Sequence, residues 1–284
     1  MRIFRYRADR LPVLLVATLF TLDLLVYFRV HSVPLVVGWM LAGLLPKVSI
    51  CAWNHHHQHV PTFRAGVLNR LLEVVYALHT GITTNGWVLH HVLGHHLHYL
   101  DQKQDESAWR TANGRPMRAI EYTVTNALAA YPRAIRVGRR HPRYQRTFAR
   151  AGTLMLVILA ALLWYDWVNA TLVFVIPMVA GLVGTVWHTY YHHAGLDASD
   201  HHSASYNITD PTYNLLTGNL GYHTAHHIRP GLHWSRLPQF HARIAHRIPT
   251  HLYRRPRLPF GGVLVNAYAG LRRWSRRGLA GSRG

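Results

Sequence analysis

Histidine is the residue that dominates any chemical reading of this chain. There are 24 in 284 residues, and 17 of them fall in five short clusters. The clusters are His55–His56–His57 with His59; His90–His91 with His95, His96 and His98; His188 with His192 and His193; His201–His202; and His223 with His226 and His227. Imidazole is the commonest metal ligand among side chains, so clustering points to metal chemistry. Spacing sharpens the point. His55 and His59 are four residues apart, His91 and His95 are four apart with His96 adjacent, and His223 is followed at three and four by His226 and His227. Residues at such spacing share one face of a helix. Each box can therefore aim two or three imidazoles at one place, and the eight together exceed what one tetrahedral zinc needs. They fit two metals.

Ligand type alone leaves the metal open, because imidazole suits zinc, copper, iron and nickel. Several classes are excluded by what is missing. There is no H-E-x-x-H, as a zinc protease would carry, and no E-x-x-H, as a carboxylate-bridged di-iron bundle would carry. The single cysteine, Cys51, rules out a disulfide framework and a multi-cysteine zinc or iron–sulfur site. Haem-ligating pairs would lie within apolar spans, whereas these clusters sit at the ends of them.

The elements that must position the clusters are apolar runs of membrane length. Spans are expected at about 11–30, 33–53, 148–165 and 168–188, joined in pairs by very short turns, since about 20 apolar residues cross a bilayer core. Pro46 predicts a kink in the second, and Lys47 is expected to snorkel towards the interface. The stretches Leu68 to Leu78 and Ile82 to Leu93 are broken by charge, glycine and histidine, and read as interfacial or packed helices. Formal charge is +20, with 31 Lys+Arg against 11 Asp+Glu. The basic residues avoid the apolar runs, which favours anionic lipid over nucleic acid as their partner. The N-terminus, residues 54–150 and the region after His188 hold 29 of the 31. Cytoplasmic segments carry the excess of Lys and Arg. The chain therefore reads as all-α and integral to the membrane: two helical hairpins with both termini inside, and a cytoplasmic helical cap (54–147 and 189–284) that carries every histidine box. No linker or repeat divides residues 1–284, so one domain is expected. The basic stretch Leu271 to Gly284 reads as a tail near anionic lipid.

With its boxes in the order His55-xxx-His59, His91-xxx-His95–His96 and His223-xx-His226–His227, the chain resembles the membrane fatty-acid desaturase family. Context agrees: Pro61–Thr62–Phe63 follows the first box, Asp101 to Trp109 the second, and Pro230–Gly231–Leu232–His233–Trp234 the third. The likeness runs from about Asn54 to Ala245. It implies a non-haem di-iron centre that uses O2 to take hydrogen from an acyl chain bound to a carrier protein, coenzyme A or a lipid. It implies that the eight box histidines are ligands and that a ninth follows the last span. His193 is the first choice there, with His192 and His188 as rivals, and Thr189 stands where some relatives have Asn. Electrons are expected from a separate carrier such as ferredoxin with its reductase, because no H-P-G-G haem signature is present. The compact chain suggests a bacterial inner membrane. Hydroxylation by the same centre is the alternative outcome; a histidine-rich metal transporter is the reading from another class.

Residues around the boxes have supporting roles to fill. At least one of His56 and His57 is expected to face solvent or to support a ligand. His90 and His98 are candidates to hydrogen-bond ligand imidazoles. Asp101, Asp105 and Glu106 are candidates to orient the second box, and Asp197 and Asn219 are similar. His31, His79, His141, His233, His241, His246 and His251 read as surface or satisfied polar residues.

Overall fold

A computed structural model describes residues 3–196 and 199–259. Asp197 and the basic stretch from Leu271 lie outside the described residues. The described residues are mostly helical, and their strands are a two-residue parallel pair, β1 (Asn207–Ile208) with β2 (Tyr253–Arg254).

Among the described residues, three helices are long and apolar enough to cross a membrane: Arg7–Arg29, which contains α1 (Arg10–Arg29); α5 (Pro142–Tyr165); and the rod Trp167–His193. That rod is α6 (Trp167–Ala170), a π-helical stretch Thr171–Val175, and α7 (Ile176–His193). The fourth candidate is α2 (Val33–His59), whose halves Val33–Lys47 and Ser49–His59 meet at 44°. Pro46 lies at the bend and removes a backbone donor there, as expected. The outer faces carry Leu14, Leu25, Leu41, Leu156 and Val179, all well exposed. Such a continuous apolar surface suits lipid and not water. The helices outrun the expected boundaries. α5 starts at Pro142, α2 continues to His59 and α7 to His193, so the first box and the His188–His193 cluster lie on the ends of the long helices themselves. Where a mixed or basic composition ends an apolar run, the backbone hydrogen bonds need not end.

α3 (Gly66–Thr80) is amphipathic and drives its C-terminal end into the bundle. Ala77 and Leu78 pack there with Tyr27, Val36, Met155 and Phe174. The approach to α7 needs two glycines. A Cβ on Gly181 would lie 2.8 Å from Thr80 Cα, and Gly81 ends α3 at φ +67° with its Cβ position 2.5 Å from Met178 O.

Lys47 does not snorkel. It is 1% exposed, with Nζ 2.9 Å from Asp23 Oδ1 and donating to Val173 O at 2.9 Å. Trp39 Nε1 donates to the same carboxylate at 2.8 Å, and His79 is fully buried beside it, with Nδ1 3.5 Å from Asp23 Oδ2. The partner carboxylate, on α1, is what keeps the ammonium inside. Val173 lies in the π-helical stretch, where the regular ladder is interrupted and a carbonyl can take an outside donor.

Candidate metal centre

The histidine-bearing end of the fold is built from the ends of α2 and α7, a π-helical segment Val88–His96, α4 (Ala119–Gly138), α8 (Pro211–Thr217), α9 (His223–Ile228) and α10 (Leu237–Ile244). His55 and His59 stand one turn apart on the last turns of α2. The second box departs from the expected α-helical face. A π-helix pairs residue i with i+5, so His91 meets His96, Nε2 to Nε2 at 3.0 Å. His95 is thereby turned to the other side. The segment also packs tightly against the following loop, because a Cβ on Gly94 would fall 2.6 Å from Glu106 Cγ.

All nine expected imidazoles converge. His55, His59, His91, His96 and His226 each offer a nitrogen, and these lie within 4.8 Å of one another. His95, His193 and His227 form a second such group. His223 joins the second group, its Nε2 being 3.0 Å from His193 Nε2 and 3.2 Å from His227 Nε2. All but His59 are buried. Burial first, and neighbouring imidazoles second, hold His91, His96, His223, His226 and His227 well below the ordinary histidine range. They are neutral, the form that binds metal.

Hydrogen bonding around the second group shows that these nitrogens suit a cation. His95 Nδ1 donates to Asp105 Oδ1 at 2.7 Å, and His193 Nδ1 donates to the Ala204 carbonyl at 3.0 Å. Both oxygens accept, so each ring carries a proton on Nδ1. The two Nε2 atoms face each other across 3.3 Å. A neutral ring at each position turns two lone pairs together there, and a metal ion between them removes their repulsion. Five Nε2 pairs lie 2.9–3.3 Å apart: His55–His226, His91–His96, His95–His193, His193–His223 and His223–His227. In the first group, His59 Nε2 is buried and has no hydrogen-bond partner among the described residues.

The two rivals for the ninth place are engaged elsewhere. His192 donates from Nδ1 to Tyr206 O at 3.0 Å and meets the Tyr213 hydroxyl with Nε2 at 3.1 Å. His188 Nε2 is 2.8 Å from the same hydroxyl. Thr189 turns its hydroxyl back to Thr185 O. The intervening histidines of box one also face away from the cluster. His56 Nε2 donates to Thr217 O at 3.2 Å, while His57 bonds Thr62 and the buried Glu73. Neither faces solvent.

Of the acidic candidates, only Asp105 bonds a box histidine among the described residues. Glu106 pairs with Arg136, and Asp101 caps its own exposed turn. Asn219 adopts φ +65° in the turn before box three and donates to Trp234 O. His90 Nε2 is buried without a partner among the described residues, and His98 lines an outer polar groove. His233 is not at the surface: buried, it bonds Asp9 at 3.0 Å, as does Trp234 Nε1 at 2.7 Å. This clamp ties the N-terminus to the segment after box three. Only the chain context around His233–Trp234 hinted at it. Tyr99, whose ring lies 4.3 Å from that of His227, and the fully buried Tyr213 had no signal in spacing at all.

Beside the imidazoles lies a small cavity of about 40 Å3, lined by Cys51, Ala52, Trp87, Thr185, Thr189 and Leu220 together with His55, His91 and His223. A small, largely apolar cavity beside a buried histidine cluster able to hold metal, carried on long apolar helices, is the architecture of a membrane protein. The family model for fatty acid desaturase matches residues 31–258, and the chain belongs to that family. It matches no individual curated protein and no solved structure.

Proposed function

We propose that this chain is an O2-dependent acyl desaturase whose nine converging histidines hold two iron ions. His55, His59, His91, His96 and His226 would bind one, and His95, His193, His223 and His227 the other. The observation that carries the reading is the pair of Nε2 atoms on His95 and His193, their rings oriented by Asp105 and Ala204, facing each other across 3.3 Å. Two irons bound there would supply the oxidising power to take hydrogen from an unactivated methylene. The protein's own part is to keep the imidazoles neutral, hold their orientation from behind, and line the reaction chamber with groups that exclude water.

The same reading takes the three long apolar helices and bent α2 as four spans in two hairpins, with both termini and the cap on the cytoplasmic side. It treats the described chain as one folding unit. The basic residues of the cap support that orientation. Electrons would come from a separate one-electron carrier such as ferredoxin and its reductase.

Expression in a host of defined lipid composition, followed by mass spectrometry of its acyl chains, tests the proposal. Loss of two hydrogens from a chain, with two irons per purified protein, is the expected result. Gain of one oxygen would show a hydroxylase instead, and an unchanged lipid profile with no bound iron would refute the assignment.

A further inference from the structure

Residues 3–9 lie across the exits of two histidine boxes. On one side they pair with the stretch that follows box one. Arg5 N donates to Thr62 O at 2.9 Å, Arg64 N donates to Ile3 O at 3.0 Å, and Arg5 Nε donates to Phe63 O at 3.1 Å. The Phe4 and Phe63 rings lie 4.9 Å apart. Thr62 is itself tied into box one, its hydroxyl 2.9 Å from His57 Nδ1. On the other side, residues 3–9 grip the stretch that follows box three. Asp9 Oδ1 accepts from His233 Nε2 at 3.0 Å and from Trp234 Nε1 at 2.7 Å, and the Tyr6 ring stacks on His233 at 3.8 Å. Ser235 N donates to His233 Nδ1 at 3.3 Å, which leaves the ring proton on Nε2 for Asp9.

Trp234 is where three segments meet. Its indole N–H reaches Asp9, its ring meets that of Trp53 edge-on at 5.1 Å, and its carbonyl accepts Asn219 Nδ2 at 3.2 Å. Trp53 lies on α2 just before His55, and Asn219 lies in the turn before His223. The close approach depends on Gly218, at φ +58°, where a Cβ would fall 2.6 Å from Trp53 Cζ3. Asp9 is only 6% exposed. A side chain so polar needs donors when buried, and here they come from the segment after box three.

The two histidine groups depend unequally on this joint. The first draws His55 and His59 from box one and His226 from box three, with His91 and His96 from box two. The second takes His95, His193, His223 and His227, none of them from box one. A shift of box one against box three therefore opens the first group and spares the second. Little shift is needed, because metal–ligand distances tolerate an error of about 0.2 Å. We propose that residues 3–9 are a strap that holds box one in register with box three, and that Asp9 is a positioning residue for the first histidine group. The consequence for metal rests on the two-iron reading; the geometry of the strap does not.

Two measurements on the full chain in detergent test this. The first is iron titration of the purified protein, resolved into two sites. In Asp9→Ala one iron should bind at least about tenfold more weakly while the other is unchanged. Trp234→Phe keeps a ring against Trp53 but loses the indole N–H, and should act in the same direction. Asp9→Asn, whose amide oxygen still accepts from Trp234, should retain most of the affinity. Equal weakening of both sites in Asp9→Ala and Trp234→Phe would show a general loosening of the fold and overturn the proposal, as would no weakening in either. The second measurement needs no metal. Spin labels on Ala65→Cys and Gly231→Cys, both at exposed positions, report the distance between the two box exits, with the buried Cys51 replaced by Ala. The distance distribution should be narrow with Asp9 in place and broad in Asp9→Ala. An unchanged distribution would overturn the strap. Broadening in a chain that binds no iron would uphold the strap and count against the two-iron reading.

Discussion

Asp105 Oδ1 accepts the Nδ1 proton of His95 at 2.7 Å, and the same oxygen accepts the backbone N–H of Ser107 at 2.7 Å. The carboxylate is therefore held from one side while it holds the imidazole on the other. His95 is thereby held in one orientation, with its Nε2 turned to the second histidine group.

Asp105→Ala should consequently weaken iron binding by about 10–100-fold while leaving the helices intact, the usual result of removing the group behind a ligand histidine. Iron titration of the purified variant, alongside its circular dichroism, measures both. Retention of full iron affinity would show that Asp105 has no part in orienting the ligand.

The neighbours His192 and His193 should separate cleanly. His193→Ala is expected to lose about half the bound iron, because His193 Nε2 faces both His95 and His223. His192→Gln is expected to keep two irons per chain, since His192 bonds Tyr206 and Tyr213. Metal analysis after desalting distinguishes them, and the reverse pattern would move the ninth ligand.

Loading with iron should stabilise the fold, because the converging imidazoles bind metal only when folded. At free iron about 100 times the dissociation constant the gain is about 2.7 kcal/mol per site. Thermal unfolding in detergent, before and after chelation, reads this as a rise in melting temperature on reloading. A melting temperature indifferent to iron would refute the site.

The ion pair Asp23–Lys47 predicts a non-additive mutant cycle. Lys47→Met alone leaves a buried carboxylate without its cation and should cost about 3–5 kcal/mol. Asp23→Leu with Lys47→Met removes both charges and should recover most of that loss. Unfolding of the three variants in detergent checks the order; equal losses for the single and double variants would contradict it.

Acid should destabilise the cap through His241. Burial pushes its imidazole down to about 4 from an ordinary 6.5, with Nε2 beside the Tyr253 hydroxyl. Below about pH 6.5 the unfolded chain takes up a proton that the folded cap refuses until about pH 4. Stability is therefore present above that window and is lost as pH falls through it, at up to about 1.4 kcal/mol per pH unit. His241→Phe should flatten this part of the acid limb in melting curves taken between pH 7 and pH 4.5. An unchanged slope would assign the sensitivity to other groups.

The sequence by itself determined the apolar helices, the kink at Pro46 and the identity of the converging histidines. These are local properties: a run of hydrophobic residues, a missing backbone donor, a repeated ligand spacing. His193 was favoured over His192 on resemblance; in the structure His193 Nε2 turns towards His95 and His223, while His192 is bonded to Tyr206 and Tyr213. What only the tertiary structure decided depends on partners far away in the chain. Lys47 was expected at the interface because nothing in its own stretch offers a counter-charge; Asp23, on another helix, does. His91 was expected to pair with His95 on an α-helical face. The π-helical winding pairs it with His96 instead and sends His95 to the second group, and a choice between i+4 and i+5 bonding is made by packing against the loop at Glu106. The cavity beside the imidazoles is likewise invisible in sequence, because its lining comes from α2, α7, α8, α9 and the π-helical segment, and only their closure in space makes a cavity.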